Sequence, residues 1–298
     1  MPLVTDPDDI PDALLDAPGR GPCTEVLMAR PTHFTVESAI NPWMKDEHGN
    51  LNRVSQPLAQ QQWDALVQAY LDVGVGVHVI DGAPGLPDFC FSANQSLTWR
   101  DDKGRRHALL SRMASDTRVA EVPIFERWYR DQGYEVHTLP EGLRPFEGTG
   151  DAIRHHGQHA YWAGVGPRTR LEAWQQVAEI TGAAIIPLTL KDPRYYHLDT
   201  CLCVLSDRAA LYIPGAFDQP GLERLKAGFT DLIPLSAEDA RNFACNAHCP
   251  DDRHVLLQSG SEATVKALSR RGFQVIELET GEFMKSGGSV FCLKQELP

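Results

Sequence analysis

The 298-residue sequence lacks any long hydrophobic run. A helix needs about 20 mainly apolar residues to cross a bilayer, and no stretch of this chain approaches that length. The segment at residues 1–22 is rich in aspartate and proline, and it lacks the basic region followed by an apolar stretch that marks a secretory leader. We therefore expect a cytoplasmic protein that does not bind a membrane.

Positive charge is also scarce. The chain has 28 lysines and arginines against 40 aspartates and glutamates, which gives a formal net charge of -12. Nucleic acids and anionic lipids are held mainly by lysine and arginine side chains that neutralise phosphates. The composition argues against a nucleic-acid partner and favours a small cationic ligand.

Two motifs that hold metals or cofactors are missing. No C-x-x-C knuckle is present, and the odd number of cysteines, 7, in a chain of this length indicates reduced thiols. Cys201 and Cys203 lie on an apolar stretch, where alternate side chains point to opposite faces, and Cys245 and Cys249 also lack the zinc spacing. No metal site is expected. The absence of G-x-G-x-x-G disfavours a Rossmann dinucleotide site.

What the sequence does contain is a repeated order of elements. Five times, an amphipathic helix is followed by a glycine or small-residue break and then by a short β-branched strand. Three of these helices end at a glycine where the strand begins, a common helix stop because glycine tolerates positive φ. The five strands are marked by Val77, Val136, Ile185, Ile233 and Val275.

Each unit then carries a polar or ionisable residue about 10 to 17 positions after its strand marker, before another strand-like stretch. In a cyclic array of such units, corresponding residues would point to one centre. The corresponding residues are Asp88, Glu147, His197, Asn246 and Cys292.

Six motifs in order carry a family resemblance. INPWM, GLPDFCFSAN, the SR…R stretch, PFEGTGDA, YYHLDTCL and KSGGSVFCL together resemble the guanidine-modifying superfamily of amidinotransferases and dimethylarginine dimethylaminohydrolases. The match extends from about residue 24 to residue 293. It implies an α/β fold, a five-bladed α/β propeller of ββαβ units, often called a pentein, with no cofactor.

The resemblance also implies residue roles. Cys292 becomes the nucleophile, His197 the general acid and base, and Glu147 and Asp151 the anchors of the guanidinium group. These residue types suit the chemistry, since a thiolate attacks a poor electrophile better than a hydroxyl does, and histidine exchanges protons near neutral pH. Each also has an ordinary explanation: Cys292 as a packed thiol, His197 as a core histidine, and Glu147 and Asp151 as turn residues.

Further residues are expected to bind the substrate. The SR…R stretch offers Arg112 and Arg118 as bidentate partners for an α-carboxylate, and we favour Arg118. Asn41 and Asn94 resemble the asparagines of arginine dihydrolases, which convert arginine to ornithine, carbon dioxide and two ammonia molecules. An amide can hydrogen-bond a neutral ureido group, which suits a second hydrolysis. Asp88 and Ser289 complete the predicted substrate-binding set.

We therefore expect hydrolysis of arginine or an arginine derivative through a covalent S-alkylthiouronium. The alternatives are a dimethylarginine dimethylaminohydrolase or single-step arginine deiminase, an amidinotransferase, and a partner-binding propeller without activity. Two departures from the family pattern leave the substrate end open: Phe89-Cys90 replaces the usual Met-Val pair, and the insertion TWRDDKGRRH at residues 98–107 is unusually long.

Two polar segments have no predicted function. Residues 1–22 are expected to form a flexible or loosely docked arm beside a single catalytic domain at residues 23–298. The segment RHHGQHA, with His155, His156 and His159, is expected to be a solvated loop that chelates metal weakly at most.

Overall fold

The structure, a computed structural model, describes residues 3–298. In this range the strands, in chain order, are β1 (Glu25–Ala29), β2 (Gly76–Ile80), β3 (Ser96–Arg100), β4 (Arg106–Leu110), β5 (Glu135–Thr138), β6 (Ala152–Arg154), β7 (Ala160–Val165), β8 (Ala184–Thr189), β9 (Leu202–Val204), β10 (Ala209–Tyr212), β11 (Asp231–Pro234), β12 (His254–Gln258), β13 (Gln274–Leu278) and β14 (Gln295–Leu297).

The helices alternate with these strands, as in other α/β proteins. In chain order the α-helices are α1 (Ile10–Asp16), α2 (Gln56–Asp72), α3 (Val122–Asp131), α4 (Gly148–Asp151), α5 (Leu171–Thr181), α6 (Gln219–Gly228), α7 (Ala237–Arg241), α8 (Glu262–Ser269) and α9 (Gly281–Met284). Short 3-10 turns stand between several of them.

The described strands form five separate small sheets, with the orders β14-β1-β2, β3-β4-β5, β6-β7-β8, β9-β10-β11 and β12-β13. In each sheet one parallel pair is joined by a crossover helix: β1 and β2 by α2, β4 and β5 by α3, β7 and β8 by α5, β10 and β11 by α6, and β12 and β13 by α8. The fold is therefore α/β, with five helix-and-strand units where the sequence predicts them.

The four three-stranded sheets add an antiparallel neighbour to the parallel pair. In the fifth sheet, an isolated antiparallel bridge between His248 and Leu256 stands in that position. The antiparallel neighbour of β1 is β14, so the last strand of the chain completes the first sheet.

Two of the crossover helices, α5 and α3, end at or next to a glycine in the left-handed region. Gly182 has a φ of 67° directly after α5, and Gly133, with a φ of 75°, follows α3. The buried face of α2 carries Trp63, Leu66 and Tyr70, none of them more than 2% exposed. Burial of such side chains stabilises the fold by roughly 1.5–3 kcal/mol each.

The amino-terminal segment is packed rather than loosely docked, which corrects the expectation of a flexible arm at residues 3–22. The α1 helix lies against α6 and β8. Ile10 is fully buried in a cluster with Trp162 and Leu225, and Leu14, one helical turn later, is 8% exposed. Ile10 and Leu14 lie on one face because they are four residues apart. Residues 1 and 2 lie outside the described part of the chain.

The expectation that the RHHGQHA segment is a solvated loop is also wrong. His155, His156 and His159 are all buried. His156 Nδ1 bonds Asp252, and His159 Nε2 lies 2.9 Å from the carbonyl oxygen of Thr181. Their burial lowers the pKa of all three histidines, that of His155 to about 4.

Among residues 3–298, no helix has both the length and the apolar character that crossing a membrane requires.

The packing of α1 predicts a stability effect. The Ile10→Ala variant should lower the free energy of unfolding by about 2–5 kcal/mol, because it leaves a cavity in a closed cluster. The matched control is Leu15→Ala, since Leu15 is 78% exposed. Urea denaturation of both variants measures the difference. Equal stability of the two would contradict the docking of α1.

Candidate active site

A small polar cavity lies beside Cys292. Its volume open to water is about 10 Å³, roughly the space of one water molecule. Among its walls are both candidate asparagines, one predicted arginine and the predicted thiol. The lining residues are Ile40, Asn41, Met44, Asp88, Phe91, Asn94, Arg118, Arg168, Tyr196, Ser286 and Cys292.

The thiol is held by polar partners on two sides. Cys292 Sγ lies 3.1 Å from Asp199 Oδ2, and Asn246 Nδ2 lies 3.2 Å from the same sulfur. The Asn246 side chain also accepts hydrogen bonds from the backbone N–H groups of Ser289 and Cys292, at 2.9 and 3.3 Å. Cys292 thus differs from an inert thiol packed only among apolar groups.

Burial and a nearby carboxylate together keep this thiol protonated. Desolvation raises the pKa of Cys292 well above its ordinary value, and the negative charge of Asp199 raises it further. Desolvation likewise raises the pKa of Asp199 to about 7, although its hydrogen bond from Cys292 opposes the shift. The Cys292 thiol, hydrogen-bonded to Asp199, is therefore protonated at neutral pH. A cation bound nearby would favour loss of this proton and formation of the thiolate.

Glu147 is the most heavily paired acid of the site. It is fully buried, and its Oε2 lies 2.7 Å from His197 Nε2 and 3.0 Å from Arg168 Nη1. Its Oε1 accepts a hydrogen bond from the backbone N–H of Ala114 at 2.8 Å. Desolvation acts to raise the pKa of Glu147, but Arg168 and His197 outweigh it and hold that pKa well below its usual range. This carboxylate orients His197 rather than pointing into the cavity.

Asp151 is also turned away from the cavity, contrary to the expected role as a guanidinium anchor. Its Oδ1 accepts from the backbone N–H of Leu198 at 3.0 Å, and its Oδ2 accepts from the hydroxyl of Thr169 at 2.7 Å. Both oxygens therefore fix the backbone on either side of His197. Desolvation raises the pKa of Asp151 to about 6.

Asp88 is the acid that faces the cavity. It is 7% exposed, and Ser286 donates to its Oδ1 at 3.2 Å. Desolvation raises its pKa, and the positive charge of Arg118 opposes the shift. The motif GLPDFCFSAN predicts Asp88 as a substrate-binding residue, and its place in the lining is consistent with that prediction.

Asn94 lines the cavity, and its amide has a donor without a hydrogen-bond partner among the described residues. Arg118 Nη1 donates to Asn94 Oδ1 at 2.7 Å, so the oxygen of the amide must face the arginine. The Nδ2 atom is buried and has no hydrogen-bond partner. Arg118 itself is held by Glu121 through Nε and Nη2, at 3.0 and 2.8 Å.

Arg112 and Ser289, like Glu147, Asp151 and His197, are not among the residues that line the cavity. Arg112 donates from Nε and Nη2 to the carbonyl oxygen of Leu139, at 2.9 and 2.6 Å, and pairs with Glu141 on the surface. Ser289 is fully buried and bonds Thr280 at 2.6 Å. In its place Ser286, three residues earlier, lines the cavity.

Two motif positions, Gly288 in KSGGSVFCL and Gly150 in PFEGTGDA, have no room for a larger side chain. A Cβ atom on Gly288 would lie 2.6 Å from the Phe91 ring and 3.1 Å from Cys292 Cβ. A Cβ atom on Gly150 would collide with Asn94 Nδ2 and touch the His197 ring at 3.4 Å. Small residues at these positions let the backbone approach the thiol and the histidine.

The segment containing INPWM covers the cavity. Asn41 Nδ2 donates to the carbonyl oxygen of Ser286 at 2.9 Å, and Asn41 Oδ1 accepts from the N–H of Trp43 at 2.9 Å. Arg168 Nη2 donates to the carbonyl oxygen of Ile40 at 2.7 Å. Both groups of the Asn41 amide are therefore used to hold this segment, whereas Asn94 keeps a donor free.

Sequence reasoning misses Arg168 and Asp199 as site residues. Asp199 could have been found from the sequence, because it belongs to the motif YYHLDTCL. Asn246 could also have been found, because it occupies the same place in its unit as Cys292 does. Arg168 lies in the loop between β7 and α5 and belongs to none of the six motifs. Only the tertiary structure brings it to Glu147.

Comparison with known proteins gives a family. A sequence model described as "N,N dimethylarginine dimethylhydrolase, eukaryotic" matches residues 30–297. The N(G),N(G)-dimethylarginine dimethylaminohydrolase of Mycobacterium tuberculosis is 34% identical over 270 residues, which cover 91% of this chain and 84% of that protein. The chain belongs to the dimethylarginine dimethylaminohydrolase-like family of guanidine-modifying enzymes. The family resemblance predicted from six motifs is thereby confirmed.

Other members of the family are similar over the same region. The bifunctional arginine dihydrolase/ornithine cyclodeaminase AgrE of Nostoc sp. is 37% identical over 269 residues, or 90% of this chain. A solved N-terminal domain of ArgZ, an arginine dihydrolase of cyanobacteria bound to substrate, is 35% identical with a TM-score of 0.85. It covers 91% of this chain and 97% of that domain. The chain spans about 37% of the length of AgrE.

The electrostatic coupling between Asp199 and Cys292 can be tested by titration. The Asp199→Asn variant should move the alkylation midpoint of Cys292 to lower pH, because the neutral amide no longer raises the thiol pKa. A thiol pKa lower by one gives about tenfold more thiolate at any pH well below the midpoint. The measurement is the iodoacetamide rate against pH, followed by mass of the Cys292 peptide.

The control for this titration is Asp151→Asn, since Asp151 bonds Thr169 and Leu198 rather than the sulfur. An unchanged midpoint in Asp199→Asn would contradict the electrostatic coupling of Asp199 to Cys292.

Proposed function

We propose that this protein hydrolyses the guanidinium group of arginine or an arginine derivative through a covalent S-alkylthiouronium on Cys292. The observation that carries the proposal is the thiol itself, which lies between Asp199 and Asn246 at the edge of a polar cavity. The family relatives, arginine dihydrolases and dimethylarginine dimethylaminohydrolases, support the choice of a guanidine substrate.

In the first step, the Cys292 thiol gives its proton to Asp199, its hydrogen-bond acceptor, and the sulfur attacks the guanidinium carbon and forms the C–S bond. One nitrogen leaves as the amine after it takes a proton from His197, the general acid. In the next step His197 removes a proton from water, the water attacks the same carbon, and the C–S bond breaks. Glu147 contributes by orienting His197 through the contact between its Oε2 and His197 Nε2.

The substrate cation also prepares the nucleophile. Without a ligand, desolvation and Asp199 keep the thiol protonated. A guanidinium placed beside Asp88 and Asp199 brings a positive charge next to the sulfur, which favours the thiolate. Attack is thus coupled to the arrival of a cationic substrate.

Asn94 favours two successive hydrolyses over one. Its free Nδ2 group is a donor, and a guanidinium carries only donors, so this group gains nothing from the first substrate. The ureido oxygen of citrulline is an acceptor that the Asn94 donor can bind. We therefore infer that arginine is converted through citrulline to ornithine, carbon dioxide and two ammonia molecules.

The Asn94 amide distinguishes the two-step reaction from the alternative reactions. A single-step arginine deiminase or a dimethylarginine dimethylaminohydrolase has no need of a donor for the ureido product, and an amidinotransferase would require an amine acceptor. The remaining alternative is a partner-binding propeller without activity. The polar cavity beside Cys292 disfavours it, because such a cavity suits a small-molecule substrate.

Two arginines provide the positive charge for an α-carboxylate. Arg118 and Arg168 line the cavity, whereas Arg112 does not. Both arginines are held by buried acids, Glu121 and Glu147, so a carboxylate ligand would share donors that are already oriented. Bidentate geometry at one of them would fix the amino-acid end of the substrate.

Entry of an arginine-sized molecule requires the covering segment to move. The present cavity has space for about one water, and the bonds from Asn41 to Ser286 and from Arg168 to Ile40 close it. We propose that the segment opens by breaking these exchangeable hydrogen bonds, and that it excludes water again once the substrate is bound.

The five sheets support a ring architecture for this site. We propose that they close into a five-bladed propeller around the cavity, because β14 pairs with β1 and because β14 contacts β3, β6 contacts β9 and α2 contacts β13. A cytoplasmic location also stays a prediction.

The reaction is tested by the products from arginine and citrulline supplied separately. Wild-type protein should release ornithine from both, as measured by mass spectrometry. The Cys292→Ala variant should lose all turnover, while Cys249→Ala, which removes a buried thiol outside the cavity, should retain it. Turnover in Cys292→Ala would refute the covalent mechanism.

The role of the Asn94 donor is tested by Asn94→Asp. This variant should still convert arginine to citrulline, because the first ligand is cationic, and it should accumulate citrulline, because a carboxylate faces the neutral ureido oxygen. The citrulline-to-ornithine rate should fall by at least about tenfold, the loss of one hydrogen bond to a bound group. Equal loss of both steps would contradict the assignment of the donor to the second hydrolysis.

The carboxylate contacts are tested with Arg118→Gln, compared with Arg112→Gln as the control outside the cavity. Arg118→Gln should lower kcat/KM for arginine by about tenfold or more, and it should narrow the preference for arginine over its decarboxylated analogue. Arg112→Gln should leave both quantities unchanged. Steady-state kinetics with the two substrates distinguishes a carboxylate contact from general damage, since only the former depends on the substrate carboxylate.

A further inference from the structure

The unusually long insertion at residues 98–107 forms the β3–β4 hairpin, and it carries a cluster that the proposed reaction does not use. His107, on β4, lies directly opposite Glu135 on the parallel strand β5. His137 is two residues beyond Glu135, so the three side chains project from the same face of the sheet. Their ligand atoms all lie within 4.8 Å of one another.

The nitrogens of the two histidines face each other. His107 Nδ1 lies 3.0 Å from His137 Nε2. The carboxylate of Glu135 closes the triangle, since its oxygens lie 3.8 Å from His107 Nδ1 and 3.9 Å from His137 Nε2. In a tetrahedral zinc site with bonds of about 2.0–2.1 Å, neighbouring ligand atoms are about 3.3 Å apart. The observed triangle is within a small adjustment of that geometry.

Asp101 and Trp99 fix the orientation of the His107 ring. Its outer nitrogen, Nε2, lies 3.3 Å from Asp101 Oδ2, although the angle falls short of a regular hydrogen bond. Asp101 is itself fixed by Arg105, whose Nε donates to Oδ2 at 2.8 Å. A carboxylate behind a histidine favours the N–H on the outer nitrogen and leaves the lone pair on the inner one, an arrangement common behind metal-bound histidines. Trp99 stacks on the His107 ring at 5.0 Å and limits its rotation.

The cluster is open on its outer side. His107 is buried, but the side chains of His137 and Glu135 are 26% and 51% exposed, so an ion can enter and a water can complete its coordination. Arg105 Nη1 lies 3.4 Å from Glu135 Oε2, and this exposed pair is too weak to exclude a divalent ion. The negative charge of the whole chain, -12, also favours cation binding.

A second cluster, of Cys23, His248 and Glu296, is a poorer candidate. Glu296 already pairs with Lys294 and with Arg154, each at 3.2 Å, and the three residues are buried. Two fixed cations beside the carboxylate oppose a metal ion there.

We propose that His107, Glu135 and His137 form a binding site for a divalent transition-metal ion of the zinc type, with a water as the fourth ligand. Two imidazoles and one carboxylate are a donor set that suits zinc. In the metal-free protein the N–H at His137 Nε2 donates a hydrogen bond to His107 Nδ1. When the ion binds, the His137 proton moves to Nδ1, so both facing nitrogens offer lone pairs without net proton release. The ion would tie the inserted hairpin to β5.

The experiment uses cobalt(II) as a spectroscopic probe and zinc as its competitor, on chelator-treated, reduced full-length protein. Wild-type protein should bind one cobalt with visible d–d absorption and without a sulfur-to-cobalt charge-transfer band, and zinc should displace it. His137→Ala and Glu135→Gln should each weaken binding by at least about tenfold. Both residues are partly exposed, so these variants test binding without removing a core side chain.

The matched control is His78→Ala. His78 Nε2 also lies 3.3 Å from a glutamate, Glu25, on a parallel strand pair, but no second histidine belongs to that pair within residues 3–298. This control should bind cobalt as the wild type does. Three results would overturn the proposal: no binding, unchanged binding in both His137→Ala and Glu135→Gln, or a charge-transfer band that places cobalt on a cysteine.

Discussion

The burial of the Glu147 carboxylate is the constraint on which the rest of the site depends. A charged group without solvent contact is tolerated only when it is paired and hydrogen-bonded. Glu147 meets this requirement with Arg168, His197 and the N–H of Ala114, which come from three different parts of the chain. Because the pairing spans these parts, the position of the histidine is set by the assembly of several sheets rather than by its own loop. The same arginine reaches Ile40, so the covering segment is connected to the same carboxylate.

This arrangement separates the acids of the site by function. Glu147 and Asp151 use their oxygens on protein groups and so hold His197 in place, whereas Asp88 and Asp199 lie nearer to the cavity and the sulfur. Glu147 and Asp199 also differ in their electrostatics. Glu147, paired with Arg168, stays ionised at neutral pH, whereas burial beside the thiol raises the pKa of Asp199 to about 7. Asp199 therefore responds more strongly than Glu147 to the charge of a ligand.

The sequence predicts the parts of the molecule that follow from local patterns. The five helix-and-strand units are readable because amphipathic periodicity and glycine stops are local. Of the corresponding polar residues, Asp88 and Cys292 line one cavity. The errors arise where the outcome depends on partners far along the chain. His156 is buried because Asp252 lies beside it, and Asp151 turns away because Thr169 and Leu198 bind it. Neither partner is visible in the motif that contains the residue.

The amide of Asn94 shows how one such distant contact restricts the chemistry of the site. An isolated asparagine offers a donor or an acceptor, so by sequence alone it suits a cation and a neutral urea equally. Arg118 removes this freedom, because its guanidinium requires the amide oxygen and leaves Nδ2 without a partner. Glu121 in turn holds Arg118 in that orientation through two nitrogens. A buried ion pair therefore decides which end of the amide is left without a partner and, in the reaction proposed above, which of two successive substrates would gain a hydrogen bond.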